Sequence, residues 1–563
     1  GSLREGTIAG EIEIDGEPIR FERVRFAQRE QALDLDALVQ VGGGNIAAKG
    51  TVHTAQEPVS ATLNLNWSEV VVPETLAGQA IFTRGNLDFD GSAQSYRATG
   101  TLSAGPKDRI ADLELKLQGT AERVEIEQLD IVQQPGRFAM QGNVDLQPQI
   151  GWSLRAQARQ FDPGAFAVEW PGSLNFDLNT QGTLLEEGPQ ATVVVENLRG
   201  RLRSRDLAGR VNLALSPAIA IEGDLDLRSG KSRIQLVGRS RDEMDAVATI
   251  SVPSLNDWLP DGSGELQGRV TAKGKWPDLN VAGELNGSAL HVGTIVQADR
   301  LALEWNVDRP ADPSGRATLS ASKLAASGFE FESVRAQAEG DKSRHSVDFD
   351  AKGAPLGTAF VVEGSLDGQK WDGTIQRLVL DVQNAATLTL QEPVKVSYSP
   401  ELVQMSQACF ADGDIRLCMQ GDRASNGAMH AIYSLQNVPL SLANAFAPAS
   451  MPLRFSGTLE GNGNIESTED GAFKGRADIR SASGQIGREA IDEDAPPDVL
   501  LSYADLNLSA ELDGPDARAQ LGARLDENGS LNGRVALQGL SEPTTNLEGE
   551  VTASLPSLRV IEL

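Results

Sequence analysis

The chain alternates almost from end to end. Apolar and polar residues trade places for several positions, a Gly or Asp-Gly interrupts, and the alternation resumes. Ala61, Leu63, Leu65 and Trp67 form one such run, and Leu174, Phe176 and Leu178 another. Val211, Leu213 and Leu215 form a third; Leu453, Phe455 and Leu459 form a fourth, with Gly457 in the register gap. A period of two is the signature of a strand with one greasy and one wet face. Runs of this kind are predicted at 7–15, 59–67 and 96–103, and then roughly every 8 to 20 residues as far as 545–555. That spacing predicts an all-β fold and not the strand–helix alternation of a parallel α/β sheet.

A sheet of this size must set its apolar face against a second sheet, a layer of helices, itself by curling, or a ligand. Helices are too few. Pro163 to Trp170, Pro253 to Pro260 and Pro439 to Phe446 each read as one brief helical plug kept short by proline. Such plugs either cap an apolar groove or simply connect strands. The absence of any linker predicts one continuous, elongated, curled sheet over 1–563, with soft boundaries near 160–172, 253–264 and 436–452. An acidic, proline-containing loop is predicted at 488–498.

The charge, 50 basic against 79 acidic residues, is -29. That disfavours a nucleic-acid backbone or an anionic membrane surface as partner. No run approaches the roughly 18 to 20 apolar residues of a membrane-spanning helix. Gly1-Ser2 reads as the remnant of tag cleavage, and Ile561-Glu562-Leu563 ends an alternating stretch as an interrupted sheet would.

Two cysteines are too few for a disulfide scaffold or a thiolate metal site. If Gly413-Asp414 is a two-residue hairpin turn, Cys409 and Cys418 face each other across the ladder, where strand partners approach disulfide distance. That pairing points to an oxidising compartment such as the periplasm. The alternative is a pair of small buried hydrophobes in a reducing one.

Catalytic patterns are missing. His53, His291, His345 and His430 are scattered along strand-like segments and read as surface or edge residues. No phosphate loop, nucleophile elbow or zinc-protease motif is present. Gly42-Gly43-Gly44 is a break with no helix after it, and Asp412-Gly413-Asp414 is a turn. Asp34 with Asp36, Asp88 with Asp90, Asp224 with Asp226 and Asp348 with Asp350 sit two apart, so each pair shares a strand face. Paired acids suit glycoside hydrolysis, but several unrelated copies on the wet side read as a solvated surface. No enzymatic activity, metal or cofactor is expected.

Several phrases carry a family resemblance. Phe161-Asp162-Pro163-Gly164-Ala165-Phe166 followed by Trp170-Pro171-Gly172-Ser173-Leu174 resembles a phrase of the TamB family, inner-membrane subunits of the bacterial translocation and assembly module. Asn197 to Arg203 with Leu207-Ala208-Gly209, then Pro253-Ser254-Leu255, Leu259-Pro260, Gly264 to Gly268 and Gly274 to Leu279, are similar to its following phrases, in order. Gln407-Ala408-Cys409 with Leu417 to Gly421 resembles the family's two-cysteine hairpin, and Pro439 to Phe446 the short segment after it. The ordered phrases cover about 160–460.

The resemblance implies a middle segment of a periplasmic protein anchored in the inner membrane, whose C-terminal region meets an Omp85-type outer-membrane subunit. It implies the AsmA-like, bridge-forming architecture: a sheet folded into a U-shaped apolar groove, with phospholipid acyl chains as cargo and a role in outer-membrane biogenesis. Exposing an acyl chain to water costs about 0.8 kcal/mol per methylene, roughly 12 kcal/mol for a sixteen-carbon tail. A continuous apolar groove removes most of that cost without one strong site.

The expected lining, chosen by alternation, includes Leu63, Leu65, Leu113, Leu115, Leu174, Phe176, Val211, Leu213, Leu225, Leu227, Leu453 and Phe455. Ordinary core packing is the competing role for each. A chaperone-like module that offers a sheet edge to outer-membrane β-strands is the alternative function. A β-helix hydrolase or adhesin fits less well, because the spacing is irregular and the acids are scattered.

Overall fold

Strands one after another, joined by tight turns, are what alternation with glycine punctuation should produce, and the chain folds that way. The computed structural model describes residues 5–14, 17–30, 32–74, 78–186, 188–217, 220–240, 243–293, 296–326, 328–446, 453–469, 472–488, 498–525, 529–538 and 546–555. They form 36 strands, numbered in chain order from β1 (Glu5–Ile14) to β36 (Asn546–Ser554). The fold is all-β and antiparallel, and its helical segments are short.

The chain divides into two compact units, Gly1–Gly283 and Glu284–Leu563, with the division inside β19 (Asp278–Val292). In the first unit, β1 to β18 (Gly262–Lys275) form a meander in which each strand pairs with the strands before and after it. The second unit continues the same plan from β20 (Val296–Asp308) to β25 (Lys370–Val382). There the next strand is split into β26 (Ala386–Leu390) and β27 (Val394–Tyr398), both of which lie between β25 and β28 (Leu402–Asp412). The meander then runs through β29 (Ile415–Ala424) to β36.

The three expected plugs are present and shorter than expected. Two are single 3₁₀ turns, Pro163–Ala165 between β11 (Gly151–Phe161) and β12 (Gly172–Leu185), and Leu255–Asp257 between β17 (Met244–Val252) and β18. The third is a helix, α1 (Ser441–Ala445), between β30 (Met429–Pro439) and β31 (Leu453–Ser467). Prolines 163, 253 and 260 remove the backbone donors that a longer helix would need. In an antiparallel meander every odd-to-even connection falls on the same rim, so both 3₁₀ turns of the first unit share one rim of its sheet.

Four strands lie where the alternation marks no run: β2 (Glu17–Arg29), β3 (Ala32–Val41), β4 (Gly44–His53) and β6 (Ile81–Ser92). A bulge between Phe21 and Arg23 breaks the period in β2. Strand β3 alternates through aspartates, a residue type depleted in strands. The acidic stretch 489–497 and the end of the 436–452 boundary lie outside the described residues.

Candidate functional site

Residues paired directly across a ladder point to the same face, so the registers can be followed from strand to strand. In the first unit one row is apolar across eighteen consecutive strands. It begins Ile8, Val24, Ala37, Ala48, Leu65, Leu87 and continues Gly100, Leu115, Leu129, Met140, Ala156, Leu178. It ends Val195, Val211, Leu225, Leu236, Ala248, Val270. Only Gly100 lacks a side chain; a Cβ there would stand 2.4 Å from the Asn86 carbonyl oxygen, so the backbone approach excludes one. With strands about 4.8 Å apart, eighteen of them set out roughly 80 Å of apolar lane, measured across the strands.

The lane's side chains are mostly half-buried; the exceptions are Ile8, which is exposed, and Ala37 and Ala156, which are buried. Nearly half of all buried apolar side chains among the described residues are alanines, and Val394 is the bulkiest that is fully buried. A two-layer core would instead bury its leucines and phenylalanines.

Ten of the twelve expected lining residues lie on strands of the first unit, and Leu453 and Phe455 lie in the second. Leu65, Leu115, Val211 and Leu225 are members of the central row. Leu63 pairs with Gly50 and Phe89, Leu113 with Leu102 and Ile131, and Leu213 with Val193 and Gly223. Leu227 pairs with Gly209 and Ile234. Leu174 is buried opposite Phe161 and Gly200, and Phe176 opposes Ala158 with its ring 6.4 Å from that of Phe138. In the second unit Phe455 opposes Ile486, whereas Leu453 opposes Arg488 at the strand end. Met140, Leu178 and Leu236 belong to the row as fully as any of these. Register arithmetic from the turns could have found them, because a hairpin turn fixes the pairs beyond it as far as the next bulge.

The opposite face is polar and cross-linked by side chains. Asp226 accepts from Arg233 (2.7 and 2.8 Å) and Arg228 (3.2 Å), and the Arg233 hydrogen bonds above all hold its carboxyl down to about 2. Asp177 accepts from Asn197 (2.8 Å) and Arg159 (2.6 Å), which also lower its pKa. The aspartates two apart are part of this fabric: Asp34 bonds Thr51, Asp36 Arg23, Asp88 Asn64, Asp90 Thr62 and Asp224 Arg210. Asp348 and Asp350 oppose Gln337 and Arg335. On the apolar side of its strand, with Val347 and Phe349, His345 is held between the Asp341 carbonyl (3.0 Å) and the Trp371 indole N–H (2.7 Å), whereas His430 lies 3.8 Å from Asp422.

The 3₁₀ turns are tied down by polar side chains. Asp162 Oδ1 accepts from the N–H groups of Gly164 (2.9 Å) and Gly172 (2.7 Å), closing the first turn. Trp170, just after it, lies beneath Arg203, whose guanidinium carbon is 5.6 Å from the ring centre. Arg203 reaches on to the carbonyls of Asn256 (3.1 Å) and Pro260 (3.2 Å) in the second turn. Asp257 is buried there, accepting from Arg205 Nε (2.7 Å) and Ser232 Oγ (2.7 Å); Arg205 also donates to Asn256 Oδ1. Arg203 thus joins two plugs along one rim.

The hairpin reading of the cysteines holds. Gly413 and Asp414 form the turn, Cys409 pairs with Cys418, and the two are joined by a disulfide with Cα atoms 4.1 Å apart. Among the described residues no group of three His, Cys, Asp or Glu side chains is placed to hold a metal ion, and no helix is long and apolar enough to cross a membrane.

These features define a class: long antiparallel meanders that carry a continuous apolar lane on one face and a salt-bridged surface on the other. A family model described as TamB, N-terminal domain, matches residues 13–563, and the chain belongs to that family. It is similar to the translocation and assembly module subunit TamB of Haemophilus influenzae, with 22% identity over 482 residues. The match takes in 82% of this chain and 37% of that relative, so the chain spans well under half of the relative's length.

Proposed function

We propose that this chain is a periplasmic segment of a lipid conduit, in which the apolar lane carries phospholipid acyl chains between inner and outer membranes. One observation carries the reading: an apolar row runs across eighteen consecutive strands, and most of its side chains, the large aliphatic ones among them, are left half-buried by the protein's own packing. A tail laid along them removes apolar area from water on both partners, at about 25 cal/mol per Å². An acyl chain spans about half of a ~30 Å hydrocarbon core, so it covers three or four strands at ~4.8 Å each. Many near-equivalent seats in series favour sliding over tight binding.

The proposal extends to the whole protein an anchor in the inner membrane and an Omp85-type outer-membrane partner, and it assigns the chain no catalytic role. The relative's name, a subunit of a translocation and assembly module, supports a part in outer-membrane assembly. The second reading is a sheet edge offered to the strands of nascent barrels.

The deciding experiment extracts lipid from the purified chain for mass spectrometry and places photo-crosslinkers at Leu115 and Leu213. Co-purified phospholipid and lipid adducts at both positions are expected. Protein adducts alone, with no lipid, would replace the conduit by the sheet-edge reading.

A further inference from the structure

On the apolar face of the second unit the largest buried cluster lies between two half-buried rows, while smaller ones, Ala321 with Val334 and Ala351, and Tyr503 with Ala523 and Leu525, lie beside the rows. On one side of the largest cluster, Leu303, Leu319, Ala336, Phe349, Phe360 and Leu378 form a half-buried row from β20 to β25. On the other, Leu417, Leu435, Gly461, Ile479, Leu508 and Leu521 form another from β29 onward. Between the rows, Leu388 is 4% exposed, Leu390 9%, Val394 0% and Phe410 5%, packed together with Ala386 and Ala408.

Three local causes converge there. Gln391-Glu392-Pro393 splits the strand opposite β25, and Pro393 has no N–H to give a ladder. The register of β25 slips by one residue between the partners of Val361 and Val362, a bulge that bends the strand. Leu442 of α1 then packs onto the cluster. The disulfide stands behind it: Cys409 lies between the inward residues Ala408 and Phe410, so its side chain is on the other face.

We infer that this cluster is a stop in the lane, closed by the protein's own side chains and covered by Leu442. The inference rests on the reading of the lane as a seat for acyl chains. A tail over Leu319 or Leu508 gains contact with side chains that still have area to bury. A tail over Val394 meets side chains already covered, and must displace them to advance. Acyl chains therefore occupy the second unit in two reaches, and passage between them requires α1 to lift.

The test places a photo-reactive phenylalanine analogue at Leu319, Phe410 or Leu508 of the full chain. Each variant is irradiated with vesicles of phosphatidylethanolamine and phosphatidylglycerol, and lipid adducts are read by mass spectrometry. Adducts at 319 and 508 with none at 410 are expected, and Leu442→Ala, a truncation outside the sheet, should make 410 reactive. Equal labelling at all three positions overturns the stop and leaves the conduit standing. No labelling at any position overturns the conduit, and the stop with it. A dark 410 in Leu442→Ala removes α1 as the cover.

Discussion

Leu213 lies beside the central row, half-buried, against Val193 and Gly223. Its neighbours leave water within reach, so a carboxylate there is tolerated at a cost of about 1–2 kcal/mol. Leu213→Asp is expected to keep the far-UV spectrum and a cooperative melt while abolishing lipid adducts at that position. Global unfolding would instead mark a closed core. On the polar face, Asp226 sits well below the usual 3.8. Its stabilising contribution is full above that value and is lost as pH falls toward about 2. Asp226→Asn should therefore flatten the loss of melting temperature between pH 4 and pH 2 relative to the parent. At this scale the sequence was informative about face and silent about neighbours. Alternation places Leu65 and Asp226 on opposite sides; it does not say that Leu65 meets Leu87 or that Arg233 meets Asp226.

Among the elements, the second 3₁₀ turn is small but heavily anchored. Arg205 and Ser232 converge on buried Asp257, so Arg205→Ala leaves a buried carboxylate without its charge partner. A loss of about 3 kcal/mol is expected, read by denaturant unfolding and by new protease cleavage within 253–262. The β28–β29 hairpin gives a second prediction. Its disulfide closes a loop of nine residues' separation, which in the chain-entropy account contributes about 2–3 kcal/mol. Reductant, or Cys418→Ser, should lower the melting temperature accordingly; no change would mean the ladder alone fixes the hairpin. The prolines made all three plugs legible, and the cysteine spacing gave the hairpin register. The anchors were not legible, since Arg203 and Arg205 lie more than fifty residues from the turn they hold. The stop at β26–β28 was equally hidden: its residues look like any other alternating run, and only the split strand and the bulge crowd them.

For the whole chain, a charge of -29 is spread over a sheet whose polar face is already tied by ion pairs. Self-repulsion of the remaining acids is screened within about 10 Å at 0.1 M salt. Raising ionic strength from a few millimolar should raise the melting temperature, and a fall would mean that ion-pair attraction outweighs the repulsion.

The neighbour-only pairing has another consequence, for how such a chain is made. Outside the split strand at β26 and β27, each new strand needs only the strand just before it as a template, so loop-closure entropy stays small at each step. A chain emerging from its N-terminus can fold as fast as it appears, always presenting one growing edge and never waiting for a distant partner. Lengthening or shortening the protein by one hairpin leaves every other pairing unchanged, so its reach can be altered over evolution without redesigning the fold.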